Sequence, residues 1–136
     1  MQSLRKSVCV LVLACLSSAA FARSSVPIVN YDDSPITAKP GRELTLDTVQ
    51  HAVAAAGARS GHWSVADSTP GRVRLKLTTR GHEAVIEVTF TTQSYSIHYV
   101  SSSNLNYEKS GDRELIHPKY NAWVQHLKTA LDQELL

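Results

Sequence analysis

Cysteine is almost missing from this chain of 136 residues, and its two copies, Cys9 and Cys15, both fall within the first fifteen positions. From Leu16 onward no thiol exists to form a disulfide, bind a metal or act as a nucleophile, so the body of the protein must be held by its apolar core alone. No apolar run approaches the roughly 20 residues that a bilayer core demands. Glycine is sparse, at six residues, and nowhere gathers into a phosphate-cradling loop. A G-x-S-x-G elbow is lacking, as is any recognisable ordering of serine, histidine and acid that would mark a nucleophilic triad.

What is present first is an export signal. Arg5 and Lys6 precede an apolar stretch from Val8 to Leu16, and Ala20, Phe21 and Ala22 complete the A-x-A pattern that a signal peptidase reads. Residues 1–22 are therefore expected to be a cleaved signal peptide that delivers a periplasmic product. A second outcome stays open, because Val12, Leu13, Ala14 and Cys15 form an imperfect lipobox. Lipidation at Cys15 would tether the protein to the outer membrane through its acyl chains. Leu13 fits that motif poorly and the small-residue region continues past Cys15, so release after Ala22 is favoured. Cleavage removes Arg5 and Lys6, leaving twelve basic residues of the fourteen against twelve acidic ones. A neutral domain lacks the basic surface that displaces counterions from nucleic acid, so that class of partner is excluded, and membrane contact is expected only through a lipidated Cys15.

The part that remains is long enough for one core and too short for two ordinary domains. Residues 23–43, punctuated by Pro27, Pro35 and Pro40, read as an extended segment with an edge strand around Ile28 to Tyr31. Residues 44–136 read as an α+β domain. Thr45 suits a helix N-cap with Asp47 in the first turn, Leu44 and Val49 suit a hydrophobic staple, and Gly57 suits a left-handed stop, which predicts a helix over 46–56. Leu46, Val49, Val53 and Ala56 fall on one face of it.

A meander joined by three turns follows. A loop at 67–71 predicts Val65 opposite Val73 and Trp63 opposite Leu75. A turn at Arg80 and Gly81 predicts Leu75 opposite Ile86 and Val73 opposite Val88. A turn at Thr92 and Gln93 sets Phe90, Val88 and Ile86 against Tyr95, Ile97 and Tyr99. All three put apolar residues on one face. The other face is polar, with Arg74, Glu87 and His98 in one row. Asn104 to Tyr107 suggest a fifth short strand, 108–114 a polar loop turning at Gly111 and Asp112, and Pro118 the first residue of a closing helix with its stripe at Tyr120, Trp123, Val124, Leu127, Leu131 and Leu135. The expected architecture is a single α+β domain: an antiparallel meander of about four strands with an N-terminal and a C-terminal helix packed on one face.

Chemistry-bearing groups are scattered. Histidines at 51, 62, 82, 98, 117 and 126 show no ligand spacing; His82 and Glu83 start like a zincin motif, but Ile86 stands where the second histidine is needed. Asp32 with Asp33, and Glu83 with Glu87, could supply an acid and a base to a hydrolase, yet cross-strand pairing explains the second pair. The stripe Arg72, Arg74, Lys76 and Arg80 faces those glutamates. No catalytic residue, metal ligand or cofactor is assigned. The densest polar and aromatic block runs from Tyr95 to Trp123, and aromatics beside amides suit recognition of a peptide or sugar. Candidate binding residues are Ser103, Asn104, Asn106, Tyr107, His117 and Asn121.

Within that block Tyr95, Ser96, Ile97, then Ser103, Asn104, Leu105, Asn106, Tyr107, then Ile116, His117 and Tyr120, Asn121, Ala122, Trp123 resemble an uncharacterised family of small exported proteins and lipoproteins of Gram-negative bacteria. The resemblance implies a periplasmic or membrane-anchored setting and carries no functional residue with it. The chain departs from that pattern in its imperfect lipobox and in a longer loop at 108–115. The expected function is a non-enzymatic envelope module that binds a protein, peptide or cell-wall component, the alternative being a small periplasmic hydrolase or metal-dependent enzyme.

Overall fold

The computed structural model describes residues 24–136. The expected signal, its cleavage point after Ala22 and Cys15 lie outside the described residues. Within them the chain forms an α+β domain of two helices and antiparallel strands. In chain order these are β1 (Val26–Pro27), β2 (Tyr31–Pro35), α1 (Leu46–Arg59), β3 (Trp63–Thr69), β4 (Arg72–Thr79), β5 (His82–Phe90), β6 (Ser94–Ser103), β7 (Glu108–Ser110), β8 (Arg113–Ile116) and α2 (Pro118–Glu134). The larger sheet has five strands, not four, in the order β2-β6-β5-β4-β3, and a second sheet runs β1-β8-β7.

The alternation along β4, β5 and β6 builds the core. Val73, Leu75 and Leu77, then Ala84, Ile86 and Val88, then Tyr95 and Ile97 are all buried, and they form one cluster with Val49, Val53 and Ala56 of α1 and Tyr120, Val124, Leu127 and Leu131 of α2. Leu75 opposite Ile86, Val73 opposite Val88, and Phe90, Val88 and Ile86 opposite Tyr95, Ile97 and Tyr99 are the observed pairs. The β4–β5 turn is the tight one expected: Arg80 at φ 48 and Gly81 at φ 79 join Thr79 to its partner His82, the geometry of a type I′ hairpin.

The first hairpin differs. Pro70 and Gly71 alone make its turn, because Thr69 already pairs with Arg72, and a bulge between Val65 and Asp67 shifts the register. Val65 therefore faces Leu75 and Trp63 faces Leu77, instead of the pairs two residues earlier. The reason is local: proline followed by a left-handed glycine, at φ 79, favours a two-residue type II turn, whose twist mismatches the strands, and a bulge restores twist. Val65, at the sheet edge, is left 47% exposed.

Helix α1 continues three residues beyond its expected last residue, Ala56. Thr45 caps it through a reciprocal pair of bonds with Thr48, but Gly57 is helical and buried. A Cβ there would lie 3.4 Å from Trp63 and 3.6 Å from Leu75, ordinary van der Waals contact, so Gly57 packs on the core as a helical residue and not as a stop. The helix ends at Ser60, before Gly61 at φ 77. Leu46 at its first position is exposed and takes no part in the buried face.

Two other expectations are revised. The stretch Asn104 to Tyr107 is a loop, because Asn104 and Asn106 both adopt left-handed conformations, φ 58 and 53, and turn the intervening Leu105 into the core. The polar stretch after it is the β7–β8 hairpin, and β8 pairs onward with β1. Ile28 to Asn30 lie between β1 and β2, and the edge strand of the large sheet is β2. Its edge is closed by Asp32, Asp33, an irregular register and Pro35, whereas the opposite edge, β3, is exposed from Ser64 to Thr69 and carries only the bulge and Asp67.

Helix α2 begins at Pro118 as expected, with His117 as its cap. It is tied to β6 by the Tyr95 hydroxyl, which donates to Asp132, and Asp132 also accepts from Lys128 Nζ at 2.9 Å. Burial, with Asp132 adding to it, pushes the Tyr95 phenol up to about 12. Burial raises Tyr120 further still, and its hydroxyl has no partner among the described residues. These two tyrosines predict opposite outcomes. Tyr95→Phe should destabilise the fold by about 1–2 kcal/mol, and Tyr120→Phe should be neutral or stabilising by about 1 kcal/mol, since it removes a buried hydroxyl that gains nothing; urea titration reads both. Because folding raises the Tyr95 pKa from its ordinary 10, the stability this group contributes is whole below pH 10 and is lost as pH rises toward about 12. The urea midpoint should fall across that window, less steeply in Tyr95→Phe.

Candidate functional site

The residues expected to bind a ligand are mostly occupied in holding the backbone. Asn121, on the first turns of α2, accepts from the Val29 N–H at 3.1 Å and donates to the Pro27 carbonyl at 2.9 Å, so its amide mimics a strand partner for the N-terminal segment. Asn30 repeats the device by accepting from the Tyr99 N–H at 3.0 Å. Asn104 donates to the Gly81 carbonyl at 3.2 Å and thereby braces the β4–β5 turn. His117 accepts from the Lys119 N–H through Nδ1 at 3.1 Å, and its own N–H donates to the Leu105 carbonyl at 2.8 Å. Ser103 ends β6 opposite Glu83, and Asn106 faces solvent. Tyr107 stacks on Tyr99 with centroids 4.9 Å apart, and its hydroxyl donates to Glu114 at 3.0 Å. Asn104 and His117 meet through the Leu105 loop, whereas Asn121 turns away toward β1. The six do not converge on one cavity.

The polar face of the sheet neutralises itself. Arg74 holds Glu87 at 2.9 Å, with Arg72 3.8 Å away, and Lys76 holds Glu83 at 3.0 Å. With Glu87 so engaged, His98 does not use its row neighbour; its Nε2 bonds Asp32 of β2 at 2.5 Å, because the bulge in β2 brings that carboxylate over the strand. His51 sits on the Asp47 carbonyl at 2.8 Å within α1. Among the described residues no three histidines or carboxylates gather where they could hold a metal ion.

One place collects groups that the sheet does not neutralise. At the β4–β5 turn, His62, Thr79, Arg80, His82, Lys119 and Trp123 line a cleft of about 250 Å³. It contains no carboxylate. Arg80 and Lys119 carry no ion pair among the described residues, unlike the other three members of the basic stripe. His82 Nδ1 lies 2.7 Å from the Asn104 main-chain carbonyl, which can only accept, so Nδ1 donates and Nε2 is without a hydrogen bond among the described residues. The His82 ring packs against Trp123 at 6.2 Å, and the indole forms one wall. His62 and Arg80 stand at φ 70 and 48, a left-handed conformation that costs a residue with a Cβ about 1–2 kcal/mol. Strain of this kind concentrates at functional positions. A larger hollow of about 360 Å³, near Ile36 and Leu135, has its charged residues Lys128 and Asp132 already bonded to one another.

The sequence did hold a signal for the cleft. Arginine in the first position of a two-residue turn, where asparagine or glycine is favoured, and histidine directly after Gly61 are both local misfits. What joins them to Lys119 and Trp123 is tertiary.

Comparison with family models, with curated proteins and with solved structures finds no match for this chain.

The amide clamp makes a prediction. Asn121→Ala should destabilise the protein by about 1–2 kcal/mol, and residues 26–30 should exchange their amide protons and be cut by protease faster than the rest. Equal protection of that segment in wild type and variant would show that the clamp holds nothing.

Proposed function

We infer that this chain is a non-enzymatic binding module of a Gram-negative cell envelope, exported on residues 1–22 and contacting a protein, peptide or cell-wall component there. Both helices in this reading cover one face of the five-stranded sheet, leaving the other face and the turns free for contact. The observation that carries the reading is the cleft at the β4–β5 turn, where Arg80 and Lys119 stand beside Trp123 with no acidic partner among the described residues. The polar groups around it are consumed in support. Asn104 holds the turn and His82, and the paired charges of β4 and β5 neutralise the adjoining sheet face.

Two measurements test it together. The mass of the protein recovered from the envelope of an expressing cell should match a chain beginning at Arg23; a mass showing acyl groups on Cys15 would instead make it an outer-membrane lipoprotein. The recovered protein should then co-sediment with one isolated envelope fraction, and Arg80→Asn combined with Lys119→Gln should abolish most of that retention. Wild-type protein that stays in the cytoplasm, or that is retained by no fraction, would defeat the reading.

A further inference from the structure

Resting on the binding-module reading, we propose that the cleft lined by His62, Arg80, His82, Lys119 and Trp123 is a site for the anionic group of a single sugar ring, a carboxylate or phosphate, with the ring lying against Trp123. The charge of the lining leads to this ligand class. The charged lining is of one sign, and two of its members, Arg80 and Lys119, are without ion pairs among the described residues, so an incoming anion displaces no internal carboxylate. Arginine's planar fork matches the two or three oxygens of carboxylate and phosphate. The positive end of the 17-residue helix α2 adds to the same field. Its first N–H groups are spent internally, on His117 Nδ1 and on the His117 carbonyl at 3.0 Å, so the contacts to the anion fall to side chains.

Size and shape then favour a ring. At about 250 Å³ the cleft is smaller than the roughly 300 Å³ at which pockets for drug-sized molecules begin, which suits one ring with its substituent. Trp123 is half-buried and packs against the His82 ring, and the part of the indole left open presents an apolar surface suited to the C–H face of a sugar. His82 Nε2, without a hydrogen bond among the described residues, and the Thr79 hydroxyl supply polar atoms for ring hydroxyls. Arg80 itself belongs to a turn that asparagine or glycine would fit with less strain, so its presence is explained by its side chain and not by its backbone.

The test is titration of the exported protein with glucuronate, glucose 6-phosphate, glucose and inorganic phosphate, followed by indole NMR signals so that Trp123 is separated from the buried Trp63. Saturable binding is expected for at least one of the two anionic sugars, about tenfold or more tighter than for glucose or for phosphate. The tighter of the two identifies the anion, and the perturbed indole should be that of Trp123. Arg80→Asn and Lys119→Gln should each weaken binding at least about tenfold, while the Arg80→Asn protein melts no lower than wild type because asparagine suits the turn. Glucose binding as tightly as the anionic sugars would overturn the role of the cations. Phosphate binding as tightly would overturn the role of Trp123. No saturation by either sugar, or unchanged affinity in both variants, would overturn the site while leaving envelope retention to be judged by its own experiment. Hydrolysis of glucose 6-phosphate in the cleft would uphold the site and overturn the non-enzymatic reading.

Discussion

The pleat of β4, β5 and β6 is the constraint on which everything else rests. In a body without disulfides, the inward rows of these strands supply most of the sheet's share of the core, and a slip of one residue would exchange them for arginines, lysines and glutamates. The same register that buries Leu75 against Ile86 sets Arg74 beside Glu87 and Lys76 near Glu83 on the outside. Ion pairs exposed in this way contribute little to stability individually. Their consequence is different: they remove charge from a broad surface and leave it at one end, where Arg80 and Lys119 stand.

That redistribution explains why the asparagines are engaged. An amide side chain can both donate and accept, and so can substitute for a missing strand or complete a turn. Asn121 serves the irregular segment between β1 and β2, and Asn104 serves the β4–β5 turn. A block that looks from its composition like a recognition surface is in this fold largely a set of backbone braces.

The parts of the fold that can be read from residue order are those whose signals are local and periodic. Alternation fixed the pairing of β4 with β5 and β5 with β6, Thr45 and Pro118 marked the starts of both helices, and Arg80-Gly81 marked a turn. What escaped depends on partners distant in sequence. Gly57 looks like a stop until Trp63 is placed against it, the bulge beside Ala66 shows no residue signature, and β7 and β8 are short strands with no apolar alternation to betray them. Asp32 reaches His98 only because β2 lies alongside β6. The cleft was legible only as two oddities, a strained arginine and a strained histidine; Lys119 and Trp123, from a helix forty residues later in the chain, complete it.

The unequal edges of the large sheet carry a last consequence. At β2 the backbone is interrupted by Pro35 and a break in register and guarded by two aspartates, while β3 presents its outer hydrogen-bonding groups along an exposed strand. A sheet receptive on one side only can join another copy just once, β3 against β3, and each partner then offers its closed side outward. Assembly by this route is self-terminating at a pair, so even at high concentration the geometry of this sheet opposes a fibre.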